Sequence, residues 1–321
     1  MRSVSFIVLV LLFSCTSRLP EKEKPVRDQD PKTNIPSLII LGTIQDGGSP
    51  HPGCKKKCCE NLFSDPDKKR KVVSLGLVDP ANGKNYLFEA TPDLPSQLRA
   101  LKNYSSFKTG DLPDGILLSH AHIGHYTGLM YLGKEAMNTD CVSVYVMPRM
   151  KTYLETNGPW NQLVKLNNVE LRVLDAGKEV RLTSSIKVTP FLVPHRDEYS
   201  ETVGYRIVGP NKKVLFIPDI DKWDKWDKNI SEEIIEADYV FIDGTFYSGE
   251  EIQNRDISKI PHPFVTESIE RFKTLTSAQK DKIYFIHFNH TNPLLDPQSF
   301  QSRELIKDGF HSALPGQIFS L

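Results

Sequence analysis

The chain has 321 residues, of which 39% are hydrophobic and 25% are charged, which is ordinary for a soluble globular protein of one large domain or two modest ones. Its 40 basic and 40 acidic residues give a formal net charge of zero. This balance excludes a strongly basic protein, and the short basic runs at 55–57 and 68–71 are typical of solvated loops, so we predict no nucleic-acid partner.

The N-terminal segment differs from the rest of the chain. Arg2 is followed by an apolar run at residues 4–13, which is too short for an ordinary membrane span and is typical of a secretory signal. The ending Leu12-Phe13-Ser14-Cys15 resembles a bacterial lipobox, in which the cysteine is lipidated. A plain cleaved signal peptide is the alternative interpretation.

The predicted organisation follows from these patterns. After Cys15 the sequence is rich in Pro, Lys, Glu, Asp and Gln, a composition that does not bury enough apolar surface to fold. We therefore predict a signal peptide with its lipidation site at 1–15, a flexible tether at 16–36 and a globular domain at 37–321. The predicted location is the bacterial cell envelope, with the domain held on a membrane by a lipid anchor.

The globular region opens with strand patterns. Residues 38–42 form a predicted buried strand that leads into a glycine-rich turn at 45–50, which lacks the P-loop pattern. Three cysteines follow this turn. Two further strands are predicted at 72–78 and 86–88, and residues 89–93 are expected to open a helix that runs to about Leu101.

A histidine cluster follows the next predicted strand. The apolar run at 114–118 precedes His120, His122 and His125, and residues 126–132 continue as a predicted helical turn. Because the chain curls at the end of a strand, these imidazoles can converge, and clustered neutral imidazoles are common metal ligands. A metal site is the favoured interpretation, and a surface turn rich in histidine is the alternative.

The remainder alternates between strands and helices. Strands are predicted at 141–146, within 169–193 and at 203–208, 214–217, 239–242 and 283–286, and helices at 150–154 and about 265–275. Several polar residues come just after these strands, namely His195, Asp219, His287 and His290. Strand ends at one edge of a sheet are where α/β folds place their sites, so the pattern predicts an α/β layered domain with a single site at that edge.

The spacing His-x-His-x-x-His after a hydrophobic strand resembles the metal motif of the metallo-β-lactamase-fold hydrolases. The resemblance implies the four-layer αββα sandwich of that family over about residues 37–321. It also implies a first ion held by His120, His122 and His195, and a second held by His125 and His287, with Asp219 bridging the two.

One position departs from that family. Gly124 stands where the family has an aspartate immediately before the last histidine, so we expect weaker binding of the second ion, or its completion by another acid or by water. Glu89 and Asp93 lie where the family has acids that orient the histidines. For Asp93, an N-cap role in the following helix is the alternative.

His262, between two prolines and before a helix, is the predicted proton donor. In the phosphodiesterase branch of the family a similarly placed histidine acts as general acid on the leaving group. Imidazole suits this role because its ordinary pKa is close to neutral. The alternative is a histidine in a rigid loop.

Three cysteines form a second candidate metal site. The resemblance to cyclic phosphodiesterases of phosphonate metabolism implies that Cys54, Cys58 and Cys59 hold a structural zinc together with His290, three residues past the last catalytic histidine. Disulfides are the alternative, since an exported protein meets an oxidising compartment. Cys141 lies apart from this loop in the sequence.

These features predict a metal-dependent hydrolase of a small phosphodiester or related ester, with ion-bound hydroxide as nucleophile and zinc as the expected ion, or iron or manganese at the catalytic site. The branches that it resembles are pyrroloquinoline-quinone biosynthesis protein B, the cyclic phosphodiesterases and ribonuclease Z-like proteins. An iron enzyme that activates oxygen and a binding protein without turnover are the alternatives. Loops at 157–162 and 247–259 are expected to set specificity.

Overall fold

The computed structural model describes residues 32–107, 110–252 and 256–321. Two mixed sheets of seven strands each form its centre. The first has the strand order β14-β1-β2-β3-β4-β5-β6. Its strands are β1 (Ser37–Gly42), β2 (Ser74–Asp79), β3 (Lys84–Phe88), β4 (Gly115–Leu117), β5 (Val142–Val146), β6 (Val169–Val173) and β14 (Ile318–Ser320).

The second sheet has the order β13-β12-β11-β10-β9-β8-β7. Its strands are β7 (Val180–Arg181), β8 (Lys187–Leu192), β9 (Val203–Val208), β10 (Lys213–Ile217), β11 (Tyr239–Asp243), β12 (Ile283–Ile286) and β13 (His311–Ser312). The α-helices are α1 (Lys57–Glu60), α2 (Leu94–Tyr104), α3 (Ile123–Tyr126), α4 (Pro148–Thr156), α5 (Trp160–Lys165), α6 (Ile230–Glu236), α7 (Val265–Arg271), α8 (Ser277–Lys280) and α9 (Phe300–Lys307).

Both faces of each sheet are covered, which explains the continuous apolar runs in the strands. In β1, Leu38 and Ile40 point into the core between the sheets, while Ile39 and Leu41 point to the outer face of the first sheet. Helices α2, α4 and α5 cover that outer face, and α6, α7 and α9 cover the outer face of the second sheet. The predicted αββα sandwich is therefore confirmed.

Helix boundaries differ in places from those expected. The helix predicted to open at 89–93 begins at Leu94, because Glu89 has a left-handed backbone (φ 71°) and the chain turns there before the helix starts. Residues 157–162 were expected to form a specificity loop, but 160–162 are the first turn of α5. Leu163 of this helix packs in the core on the outer face of the first sheet.

Ligand-bearing segments collect at one edge of the two sheets. Strands β3 to β6 run parallel, as do β10 to β13, so their carboxyl ends point to the same edge. The candidate residues follow these ends directly or closely: His120 after β4, His195 after β8, Asp219 after β10, Asp243 at the end of β11 and His287 after β12. Such an edge is where open α/β sheets bind their ligands.

Asp79 ties the two sheets together at the opposite end. It ends β2 in the first sheet, and its Oδ2 accepts hydrogen bonds from the hydroxyls of Thr183 (2.6 Å) and Ser185 (2.7 Å), in the turn between β7 and β8 of the second. Asn82 Nδ2 donates a further bond (2.8 Å). Burial opposes ionisation, but these hydrogen bonds outweigh it and hold the pKa of Asp79 below its usual value.

We expect Asp79→Asn to lower the free energy of unfolding by about 1–3 kcal/mol at pH 7, because an amide leaves buried donors unpaired. Since the folded-state pKa of Asp79 is depressed, its contribution is present above the unfolded pKa of about 3.9 and is lost as the pH falls through the folded value. Urea unfolding of both proteins at pH 7 and in acid measures this. Equal midpoints at pH 7 would contradict it, and exposed Asp65→Asn is the control.

The predicted signal peptide, Cys15 and most of the tether lie outside the described residues, so this part of the predicted organisation stays a prediction. Within the described part, the backbone N–H of Thr33 donates to the carbonyl of Tyr104 (2.9 Å). Among the helices of the described residues, none has the length and apolar character needed to cross a membrane.

Candidate metal centre

The first cluster joins four residues from three separate segments. Nδ1 of His122 lies 2.8 Å from Nε2 of His120 and 3.2 Å from Nε2 of His195. Asp219 Oδ2 lies 3.1 Å from Nε2 of His195 and 3.4 Å from Nε2 of His120. One atom of each of the four residues thus faces a common point, with all of these atoms within 4.8 Å of one another. The structure therefore brings together the ligand set expected for the first ion.

The second cluster contains His125, His287 and an acid that the sequence did not indicate. Asp46 Oδ1 lies 3.0 Å from Nε2 of His125 and 3.5 Å from Nε2 of His287. Asp219 Oδ2 is 4.0 Å and 3.9 Å from the same two nitrogens, so this oxygen faces both clusters. The placement of Asp219 is that expected of a bridging ligand.

Each of four histidines is oriented through its Nδ1 atom, which leaves Nε2 for the centre. The partners are Ser119 Oγ for His120 (2.8 Å), Asp221 Oδ1 for His195 (3.1 Å), Thr245 Oγ1 for His287 (2.8 Å) and Glu89 Oε2 for His125 (3.5 Å). Ser119, Asp221 and Thr245 were not predicted. Their only sequence signal is their position at strand ends beside a predicted ligand.

Of the two acids expected to orient histidines, only Glu89 contacts one in the structure. Glu89 is fully buried beside His125, and it also accepts a hydrogen bond from the backbone N–H of Ser119 (3.2 Å). Asp93 instead accepts a hydrogen bond from the backbone N–H of Val72 (2.9 Å) and pairs with Lys71 (3.4 Å). It stands at the N-cap position of α2 without a side-chain capping bond. Its contacts support the segment that leads into β2 rather than a histidine.

The buried polar atoms of the centre fit bound cations. Among the described residues, Asp46 Oδ1, His125 Nε2, His287 Nε2 and Asp219 Oδ1 are buried without a hydrogen-bond partner. Leaving such atoms unpaired costs about 1–3 kcal/mol each in a protein interior. A divalent cation accepts imidazole nitrogen and carboxylate oxygen as ligands, so a metal ion satisfies these atoms where a proton donor is lacking.

The charge pattern also suits a cation. Burial would raise the pKa of Asp219, but the neighbouring His195, His262 and His287 hold it well below its usual value, and the carboxylate stays ionised. Burial and the adjacent His125 hold the pKa of His120 well below its usual value, so this imidazole is in the neutral form that binds metals. Burial would lower the pKa of His195, but the carboxylates of Asp219 and Asp221 outweigh burial and raise that pKa to about 9.

His262 lies beside the centre but is not part of either cluster. Its Nδ1 is 2.8 Å from Asp243 Oδ2 and 3.1 Å from Asp219 Oδ1. Burial disfavours the charged ring, but the carboxylates of Asp243 and Asp219 outweigh burial and raise the pKa of His262 well above its usual value. Asp243, which the sequence did not single out, accepts a bond from Thr245 Oγ1 (2.7 Å) and is thereby fixed against the ring.

A cleft of about 1030 Å³ opens beside this arrangement. His262, Asp221 and Thr245 line its inner wall, and Lys56, Arg196 and Lys259 place positive charges on its sides. The 247–259 segment, expected to set specificity, contributes to the lining through its described residues Glu251, Ile252, Asp256 and Lys259. The cleft therefore connects the residues that support the ligands of the centre with the 247–259 segment and with solvent.

The cysteine cluster adjoins the same cleft through His290, which is part of the cleft lining. Sγ of Cys58 is 3.9 Å from Sγ of Cys54 and 4.0 Å from Sγ of Cys59. His290 Nδ1 is 3.5 Å from Sγ of Cys58 and 3.4 Å from Sγ of Cys59. None of the described cysteines forms a disulfide, and Cys141 is exposed elsewhere. With Zn–S bonds of about 2.3 Å, the edges of a tetrahedral site are close to these separations.

We expect Cys58→Ser to lose one zinc ion per chain and to lower the melting temperature by about 5 °C or more, since about 1 kcal/mol shifts the midpoint by roughly 2–4 °C in a domain of 150–250 residues. Elemental analysis and thermal unfolding measure both. Exposed Cys141→Ser is the matched control. Unchanged zinc content in Cys58→Ser would exclude this cluster as a zinc site.

Comparisons with known proteins agree with this architecture. The family described as beta-lactamase superfamily domain matches residues 84–288. Coenzyme PQQ synthesis protein B from Nitrosococcus oceani is 26% identical over 314 residues, covering 87% of this chain and 98% of the relative. The crystal structure of Zn²⁺-bound PqqB from Methylobacterium extorquens has a TM-score of 0.71 at 21% identity, covering 89% of this chain and all of that one.

A new diphosphatase from the PhnP family has a TM-score of 0.60 at 21% identity, with 89% of this chain and 97% of that one covered. These structures share the fold described above, and the family predicted from the histidine motif is confirmed. The matched span includes all five metal-site histidines and Asp219, and it ends one residue past His287. The chain belongs to the beta-lactamase superfamily domain family.

Proposed function

We propose that this protein hydrolyses a phosphodiester or a related ester of a small molecule. The observation that carries this proposal is the position of His262, which lines the cleft while its Nδ1 is held by Asp243 next to the centre. An acid beside a metal centre is the arrangement needed to protonate a leaving group. A centre that only stores metal needs no such group on its cleft wall.

The two clusters would hold the catalytic ions through His120, His122 and His195 on one side and His125 and His287 on the other, with Asp219 between them. When bound, such ions supply a water of lowered pKa and polarise the ester group. We propose zinc for these ions and for the cysteine cluster, and iron or manganese is the alternative at the catalytic clusters.

His262 would hold the proton that the leaving group takes. The carboxylates of Asp243 and Asp219 face Nδ1, favour the protonated ring and orient it. Imidazole then offers its other nitrogen to the substrate oxygen, and general acid catalysis of this kind contributes about 10²–10⁴-fold.

The charge on the cleft supports an anionic substrate. Lys56, Arg196, Lys225 and Lys259 are in its lining, one more than the acids Asp221, Glu251 and Asp256 there. Lys225 pairs with Asp221 (2.6 Å), and Thr291 Oγ1 donates to Glu251 (2.9 Å). A phosphodiester bears a negative charge at neutral pH, so these cations would attract and orient it.

The test is hydrolysis of bis(p-nitrophenyl) phosphate by the purified protein, before and after treatment with a chelator. We expect turnover that the chelator abolishes and that added zinc restores, because the bound ions would activate the water and polarise the ester group. Absence of turnover in protein shown to carry its ions would contradict the proposal and favour a metal- or ligand-binding protein. Turnover that survives complete metal removal would also contradict it.

A second candidate rests on the relatives named coenzyme PQQ synthesis protein B, which match nearly their whole length at about a quarter identity. This chain would then act in quinone cofactor synthesis as a metalloenzyme that activates oxygen with iron. His120, His122, His195 and Asp219 form a set of nitrogen and oxygen ligands that also suits iron. Iron in the purified protein, with oxygen consumption and no ester hydrolysis, would favour this candidate.

We also propose that the protein is exported and anchored to a membrane of the bacterial envelope through lipid on Cys15. The basic start, the short apolar run and the lipobox-like sequence support this. Labelling with a radioactive fatty acid tests it: label should be incorporated by the native chain and lost in Cys15→Ser. A soluble, unlabelled native protein would contradict the anchor.

A further inference from the structure

The second cluster has a carboxylate where its sequence motif lacks one. We infer that Asp46 is a ligand of the second ion and takes the place of the acid that is absent at Gly124. This inference rests on the two-ion centre of the proposed function and assigns a role to a residue more than 70 positions away from the histidine motif.

The space around Gly124 supports the assignment first. A Cβ atom at residue 124 would lie 2.4 Å from Asp46 Oδ1 and 2.6 Å from the Cα of Asp46. Side chains at 124 and the observed position of Asp46 therefore exclude each other. The glycine lets the loop after β1 approach the histidine motif until its carboxylate occupies the volume that a side chain at 124 would fill.

The surroundings of Asp46 support it next. Its Oδ1 is buried, has no hydrogen-bond partner among the described residues, and lies 3.0 Å and 3.5 Å from the Nε2 atoms of His125 and His287. Both nitrogens likewise lack a hydrogen-bond partner. Three buried ligand atoms that face one another at these distances are what a cation site presents.

The loop that carries Asp46 is also fixed against the strand that carries His287. The backbone N–H of Gln45 donates to the carbonyl of Phe288 (2.8 Å), and the N–H of Phe288 donates to the carbonyl of Thr43 (2.7 Å). These bonds lie on either side of a bridge between Ile44 and Phe288. Asp46 follows Gln45 and His287 precedes Phe288, so each is next to a residue of this hydrogen-bonded pair. The backbone therefore positions both side chains before any ion binds.

The test compares metal content in the full-length protein loaded with zinc. We expect Asp46→Asn, which keeps the shape of the side chain but removes its charge, to hold one ion fewer per chain than the native protein. Asp65→Asn makes the same chemical change at an exposed site of the same segment and should keep all ions. Loading with cobalt instead reports thiolate charge-transfer absorption from the cysteine cluster, which shows that the variant is folded.

Gly124→Ala provides an independent variant, because it leaves Asp46 in the chain but removes the room for its carboxylate. We expect it to lose the same ion. An Asp46→Asn protein with native metal content and affinity would overturn the assignment, and so would a native protein that binds no second ion under zinc loading. If the native protein loads that ion, Asp46→Asn does not, and neither cleaves a phosphodiester, the ligand assignment stands and the proposed hydrolysis fails.

Discussion

Replacing Asp219 with alanine is expected to remove the catalytic ions and to reduce phosphodiester hydrolysis by more than about 100-fold, because loss of an outer hydrogen-bond partner alone typically costs 10–100-fold. One carboxylate oxygen faces both clusters, at 3.1 Å from His195 Nε2 and 3.9 Å from His287 Nε2. Removing it takes a ligand and a negative charge from both sites at once. Elemental analysis and the hydrolysis rate measure the two effects together.

Two further variants make this result specific. Asp221→Ala leaves all ligands in place but removes the carboxylate that holds His195 Nδ1 and pairs with Lys225, so it should weaken the first site less than Asp219→Ala. Asp227→Ala, at an exposed position after the same strand, should change neither metal content nor rate. Native metal content in Asp219→Ala would show that this residue is not the shared ligand.

Replacing His262 with alanine should lower kcat by about 10²–10⁴-fold while the metal content stays unchanged. His262 contacts Asp243 and Asp219 through Nδ1 but belongs to neither cluster, so its loss leaves the nitrogen ligands intact. The effect should depend on the leaving group. A p-nitrophenolate leaves without help from an acid, whereas an alkoxide needs a proton, so the loss should be larger for an alkyl ester.

This dependence separates proton donation from a structural role. A general acid gives unequal losses for the two esters, and a residue that only supports the fold gives equal losses together with a lower melting temperature. His311→Ala is the control, because His311 is bonded to Asp281 at the far edge of the second sheet. Equal losses for both esters in His262→Ala would contradict the role of His262 as proton donor.

The fold and the histidine set were predictable for one reason. Each of His120, His195 and His287 comes within a few residues of the end of an apolar strand, and parallel strands place such ends at one edge. Local sequence therefore carries the information, and the αββα sandwich follows from strands that are apolar on both faces. The resemblance to a known family supplied the pairing of ligands with ions, which spacing alone does not determine.

Other features depend on contacts between distant segments. Asp46 reaches His125 because residue 124 lacks a side chain, and no local pattern links a glycine-rich turn to that gap. Asp93 was assigned from the family resemblance as an acid that orients a histidine, but its carboxylate turns towards Val72 and Lys71. Helix α5 was missed because it is short and its stability comes from packing Leu163 against the first sheet.

The candidate ligands extend along the chain from Asp46 to His287. Those up to His125 follow strands of the first sheet, and those from His195 onward follow strands of the second. Neither half of the protein holds a complete set for either cluster. Ribosomal synthesis must therefore be close to its end before the centre can close around an ion, because the early segments supply only part of each ligand set. The compartment in which the whole chain finishes folding therefore sets which metal ions are available to the centre.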